Sequence, residues 1–187
     1  YSFAFPMLIK TQFTGFDPLK YAFLGPLVGA LVRPLGGIIS DKLGGAIVTF
    51  WNFILMIICV SLIMYFLHQA NFWGFLTSFM LLFIASGIGN GSTFRMIPII
   101  YINQYEKETA LSKEQKTAFS GRDAAAVLGF SSAIGAFGGF FIPKLFGYSV
   151  KSFGNVDFSL YCFIGFYVTC LLLTFWYYSR KNAESPC

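Results

Sequence analysis

Arg33 stands in "GALVRPLGG", about four residues past the middle of an apolar stretch over 19–39. At 1.5 Å per helical residue, that is roughly 6 Å from the centre of a membrane-crossing helix. A charged side chain at such a depth costs at least about 2.5 kcal/mol to insert, so it must face a polar cavity or a partner. Arginine stays charged and presents a planar fork of donors, for which a small planar oxyanion is the natural complement. Pro26, Gly29, Ala30, Gly36, Gly37 and Ser40 share its helical face. Such a small-residue face admits a close helix neighbour or leaves room for a ligand. The alternative is an ion pair with a buried carboxylate. The predicted spans hold few: Asp41 falls at a helix end and Asp123 at the start of the helix predicted over 122–147.

Two further stretches break the apolar pattern. In "GIGNGSTF" (87–94), Gly89, Asn90 and Thr93 share a helical face with Ser86, and Gly91 and Ser92 lie within the same run. In "GFSSAIGAFGGFFIP" (129–143), Gly129, Ser132, Ala136, Gly139 and Pro143 form one ladder, with Ser131, Gly135 and Gly138 beside it. Glycine costs a water-soluble helix about 1 kcal/mol relative to alanine. In a membrane bundle it lets backbones approach or bares backbone polar groups to a cavity. Tight packing alone is the competing explanation. Arg95, near the end of its span, has two readings: snorkelling or local pairing, and a place on a substrate path. A last device is "GGIISDKLGG" (36–45), in which Gly37, Asp41, Lys42 and Gly44 fit G-x-x-x-D-[RK]-x-G. Here Asp41 is expected to cap, or accept bonds from, a neighbouring helix end at a short turn that acts as a gate.

Composition says what positions these residues. The 187 residues are 56% hydrophobic and 11% charged, with 24 Phe and a mean hydropathy of +0.67. Soluble domains carry about 25% charged residues. The surface must therefore face lipid or other apolar helices. The net charge of +5 reads as a membrane-surface bias and not as a nucleic-acid footprint. A span needs about 20 apolar residues. Spans are predicted over about 19–39, 46–67, 72–102, 122–147 and 158–178, with the tail of another at about 1–9. A polar loop is expected over 103–121. This is an all-α membrane bundle. Lys42, Lys107, Lys113, Lys116, Arg122, Arg180 and Lys181 fall on one side, and Lys10, Lys20, Lys144 and Lys151 on the other. By the positive-inside rule, the long loop and the C-terminus are cytoplasmic. Cys59, Cys162, Cys170 and Cys187 show no metal or redox spacing, and no cofactor or metal is expected. Tyr1 opens within an apolar run with no basic region before it, so a piece of a longer protein is expected, not a signal peptide.

Taken together, "ALVRPLGGIISDKLGG" (30–45), "GIGNGSTF" and "GFSSAIGAFGGFFIP" resemble the nitrate/nitrite porter family of the major facilitator superfamily. The resemblance runs along the whole chain. It implies the end of helix 7 through helix 12 of a twelve-helix transporter built from paired halves around a midplane site. It also implies that Arg33 is the C-terminal one of two substrate arginines. Gly89, Asn90, Gly91, Ser92, Gly135, Gly138 and Gly139 would line the same cavity. The partner arginine would come from an N-terminal half.

The expected activity is alternating-access transport of nitrate and/or nitrite across a cell (inner) membrane, with the chain inactive without its other half. His68, the one histidine, falls at a loop, which leans toward nitrate/nitrite antiport over nitrate/proton symport. Another small anion or a drug is the alternative cargo within the same superfamily. A membrane enzyme is disfavoured: no Ser/His/Asp cluster or helix-borne His pair stands out, and "GIGNG" lies mid-span with no strand before it.

Overall fold

The computed structural model describes residues 2–13, 15–107 and 112–179. Arg180, Lys181 and Cys187, on which part of the orientation and cysteine readings rested, lie outside the described residues. The described residues form seven α-helices: α1 (Ala4–Gln12), α2 (Pro18–Tyr21), α3 (Leu24–Leu43), α4 (Gly45–His68), α5 (Phe72–Glu106), α6 (Lys113–Phe153) and α7 (Asp157–Thr174). A π-helical turn, Phe175–Ser179, continues α7. Five stretches are long and apolar enough to cross a membrane: Pro18–Leu43, α4, α5, α6 and Asp157–Ser179.

Local chemistry sets the ends. Asp17 accepts from the Leu19 amide at 3.0 Å, and Pro18 follows at the first helical position. Asn71 accepts from the Gly74 amide at 3.0 Å and starts α5. Gly44, at φ 89°, makes the reversal between α3 and α4. The expected loop over 103–121 is shorter in the structure. Ser112 and Gln115 form a reciprocal capping box, so α6 is already helical at Lys113. Its 41 residues span roughly 60 Å, longer than the ~30 Å hydrocarbon core, so its ends reach beyond the bilayer.

Helix α5 is the hub. Helices α3 and α4 pack along it, α6 runs beside it, and α7 lies on α4. The core at the α1 end of the bundle is aromatic: Phe5 of α1 is fully buried against Phe75, Phe79 and Phe83, with the Phe5 and Phe79 ring centroids 4.8 Å apart. Such pairs contribute about 0.5–1.5 kcal/mol each beyond simple area burial. Further along, α3 and α5 meet backbone to backbone. A Cβ added at Gly36 would overlap the Ile88 carbonyl and come within 2.7 Å of the Ile88 Cα. Added at Gly87 it would overlap the Gly29 carbonyl, and at Gly91 the Arg33 carbonyl. Lipid offers no hydrophobic drive between helices, so this close fit is what holds them. The α6 glycines differ: a Cβ at Gly129, Gly135 or Gly139 meets nothing within 4 Å among the described residues.

Gly36 and its neighbour Gly37 give an internal control, because a Cβ at Gly37 meets open space. Gly36→Ala should destabilise by roughly 1–3 kcal/mol, the usual range for forcing atoms into a packed contact. Gly37→Ala should leave stability unchanged or slightly raised. Thermal unfolding in detergent, comparing the two substitutions, checks this. Equal midpoints would contradict the packing described.

Candidate functional site

Arg33 projects from the middle of α3 into a cavity of about 580 Å³. Three other helices close it. Helix α4 contributes Thr49 and Asn52, α5 contributes Ser86, Gly89, Asn90 and Thr93, and α6 contributes Ser131, Ser132 and Gly135. Among the described residues, Arg33 is the one charged residue in the wall, and no Asp, Glu or His lines it. On its other side, Arg33 borders a hollow of about 160 Å³ beside Pro26, Gly29, Ala30 and Ser86. The small residues one and two turns before Arg33 thus leave space. Gly36 and Ser40, on the following turns, are buried in helix contacts. Among the described residues no carboxylate lies within ion-pair distance of Arg33.

Arg33, Gly89, Asn90 and Gly135 come together at this cavity. Gly91 and Ser92 are placed elsewhere. Gly91 faces the backbone of α3 at Arg33 and Gly37. Ser92 is fully buried: its hydroxyl donates to the Gly45 carbonyl at 3.1 Å and lies 3.0 Å from the Thr49 hydroxyl. It ties the α3–α4 turn to α5. Gly138 and Gly139 are outside the cavity wall; a Cβ at Gly138 meets only Ile142 at 4.0 Å and one at Gly139 nothing. Thr49 and Asn52 were not anticipated. Their signal was an amide in the otherwise apolar "TFWNFIL" of α4.

At the end of α3, Asp41 accepts a 2.6 Å hydrogen bond from Arg95 Nε of α5. Of the two readings of Arg95, the structure displays local pairing, and Arg95 is absent from the cavity wall. Lys42 is exposed, and Gly44 makes the turn that follows. Both members of the pair are well exposed, with side-chain accessibilities of 59% for Arg95 and 41% for Asp41. Arg95→Gln should therefore leave the unfolding midpoint nearly unchanged. The double exchange Asp41→Arg with Arg95→Asp should recover whatever either single change loses. A thermal double-mutant cycle reads this, and strict additivity of the two losses would contradict the pairing.

No family model matches the chain. Among curated proteins, it is 45% identical over 188 residues to the nitrate/nitrite transporter NarU of Escherichia coli (strain K12), an alignment covering 97% of this chain and 41% of that protein. It is 46% identical over 190 residues to NarU of Salmonella typhimurium, covering 98% of this chain and 41% of the relative. It is 36% identical over 194 residues to the probable nitrate/nitrite antiporter NarK2 of Thermus thermophilus, covering all of this chain and 40% of the relative. The chain spans about two-fifths of the length of the curated relatives it matches, within their C-terminal half. These relatives are transporters and not enzymes. Together with five helices of spanning length, they make this a multi-pass membrane protein.

Proposed function

We propose, since the chain belongs to the nitrate/nitrite porter family of the major facilitator superfamily, that it forms the C-terminal half of an alternating-access transporter for nitrate and/or nitrite. The observation that carries this reading is Arg33, a cation in a polar cavity with no carboxylate partner among the described residues. The anion lies flat against the guanidinium fork, with a second arginine from the N-terminal half on its other face. Two unit charges about 7 Å apart repel by about 2 kcal/mol at an effective dielectric constant of about 20. Binding the anion relieves that repulsion and lets the halves close. Asn90 offers amide donors, and Gly89 and Gly135 keep the wall thin. This half alone should not transport.

Exchange is favoured over proton symport. A symporter needs a group that takes up and releases a proton during the cycle, and among the described residues this wall has no carboxyl or imidazole. The Thermus relative is named a probable antiporter, in keeping with this reading. The Asp41–Arg95 bond, between Gly37 and Gly44, steadies the closed cytoplasmic ends of α3 and α5. The excess of Lys42, Lys107, Lys113, Lys116 and Arg122 on that side supports a cytoplasmic location for these ends and for the C-terminus in an inner membrane.

Nitrate uptake into proteoliposomes by the complete transporter tests the reading. Internal nitrite should drive nitrate entry, and Arg33→Lys should raise the nitrate KM by about 10–100-fold. That range is the value of a hydrogen bond to a charged group, lost when the fork becomes a point charge. Uptake driven only by a proton gradient would overturn the exchange reading. Unchanged transport by Arg33→Lys would overturn the site.

A further inference from the structure

Asn52 is a buried polar side chain in the wrong company. It sits in the first half of α4, one turn after Thr49, with an apolar run from Phe53 to Val60 after it. Its relative exposure is 6%. An asparagine amide has two N–H donors and a carbonyl acceptor, and buried amides normally satisfy them. Among the described residues, the one hydrogen bond Asn52 makes is from Nδ2 to the Met56 thioether at 3.5 Å, a weak acceptor at the limit of contact. One N–H and the carbonyl are left over. The side chain borders the cavity that holds Arg33.

Access is given by a glycine. Asn52 Nδ2 lies directly against Gly89 of α5, where an added Cβ would overlap it. Glycine here leaves room for the Asn52 amide to lie against α5, at the cavity that both helices line. Asn90, beside Gly89, lines the same space. Thr49, one turn before Asn52, is already engaged near the Ser92 hydroxyl, so its hydrogen bonding is committed elsewhere. Asn52 is not.

We propose that Asn52 is a ligand of the transported anion, donating its spare N–H beside Gly89 to an oxyanion oxygen that the Arg33 fork does not cover. This rests on the Arg33 site proposed above and adds to it a neutral donor. A guanidinium fork covers two oxygens edge-on. Nitrate has three, so a further donor has a target on nitrate that nitrite lacks.

The test is equilibrium nitrate binding to the purified complete transporter, with Asn52→Leu, Asn52→Asp and Arg33→Lys compared at several pH values. Asn52→Leu should weaken nitrate binding about tenfold, as loss of a hydrogen bond to a charged group does. Its unfolding midpoint should hold or rise, because a poorly satisfied buried amide has gone. Asn52→Asp keeps the shape and so guards against misfolding of the leucine variant. Its carboxylate repels the anion at neutral pH, and binding should return as pH falls and the carboxyl becomes a neutral donor. A purely structural asparagine would give no such pH profile. Wild-type affinity in either Asn52 variant, alongside lost affinity in Arg33→Lys, would overturn the role of Asn52 and leave the arginine site standing. Wild-type affinity in Arg33→Lys would instead overturn the site itself.

Discussion

The direct contact between α3 and α5 is the constraint on which the rest of this structure depends. Gly36 and Gly91 have no side chain to interpose, so the backbones of the two helices touch. The Arg33 carbonyl faces Gly91, which fixes the height and rotation of Arg33 on the scaffold. Its side chain is then directed to the cavity between α4, α5 and α6. Position, more than chemistry alone, separates an arginine that faces a cavity from one paired at a helix end. Arg95, on the same bundle, has the same chemistry, yet it lies near the membrane surface and is taken by Asp41.

The glycines divide into two kinds by what they meet. Those on α5 that face α3 are filled by backbone, and their small size serves packing. Gly89 is filled by an amide from α4, and its small size serves access. Those on α6 meet open space within the described chain. A bundle with one face of α6 this thin has room for a second half, or for a cavity shared with it. The exposed aromatic residues of α6, such as Phe130, Phe137 and Phe141, fit contact with apolar surroundings and not with water.

Much of this was legible in the residues themselves. Composition and run length pointed to the apolar helices, and an arginine at mid-span, with few acids near it, pointed to an anion. What was not legible depended on rotation and on short polar signals. Gly89 and Asn90 line the cavity while Gly91 and Ser92 do not, because successive helical residues turn by about 100° and the packing of α5 decides which arc faces inward. The helical face of Ser86, Gly89, Asn90 and Thr93 was legible in the sequence, but not that this face, and not the one with Gly91 and Ser92, is turned to the cavity. Asn52 gave a faint signal, one amide within a helix that is apolar all round. The start of α6 was legible and overlooked: Ser112 and Gln115 have the spacing of a capping box, yet the charges around them read as loop.

The most direct test of the account is an experimental structure of the complete transporter with nitrate bound. The account predicts the anion in the cavity beside Gly89 and Asn90, with two of its oxygens within hydrogen-bond distance of the Arg33 guanidinium. An anion bound elsewhere, with Arg33 paired to a carboxylate from the rest of the protein, would contradict it.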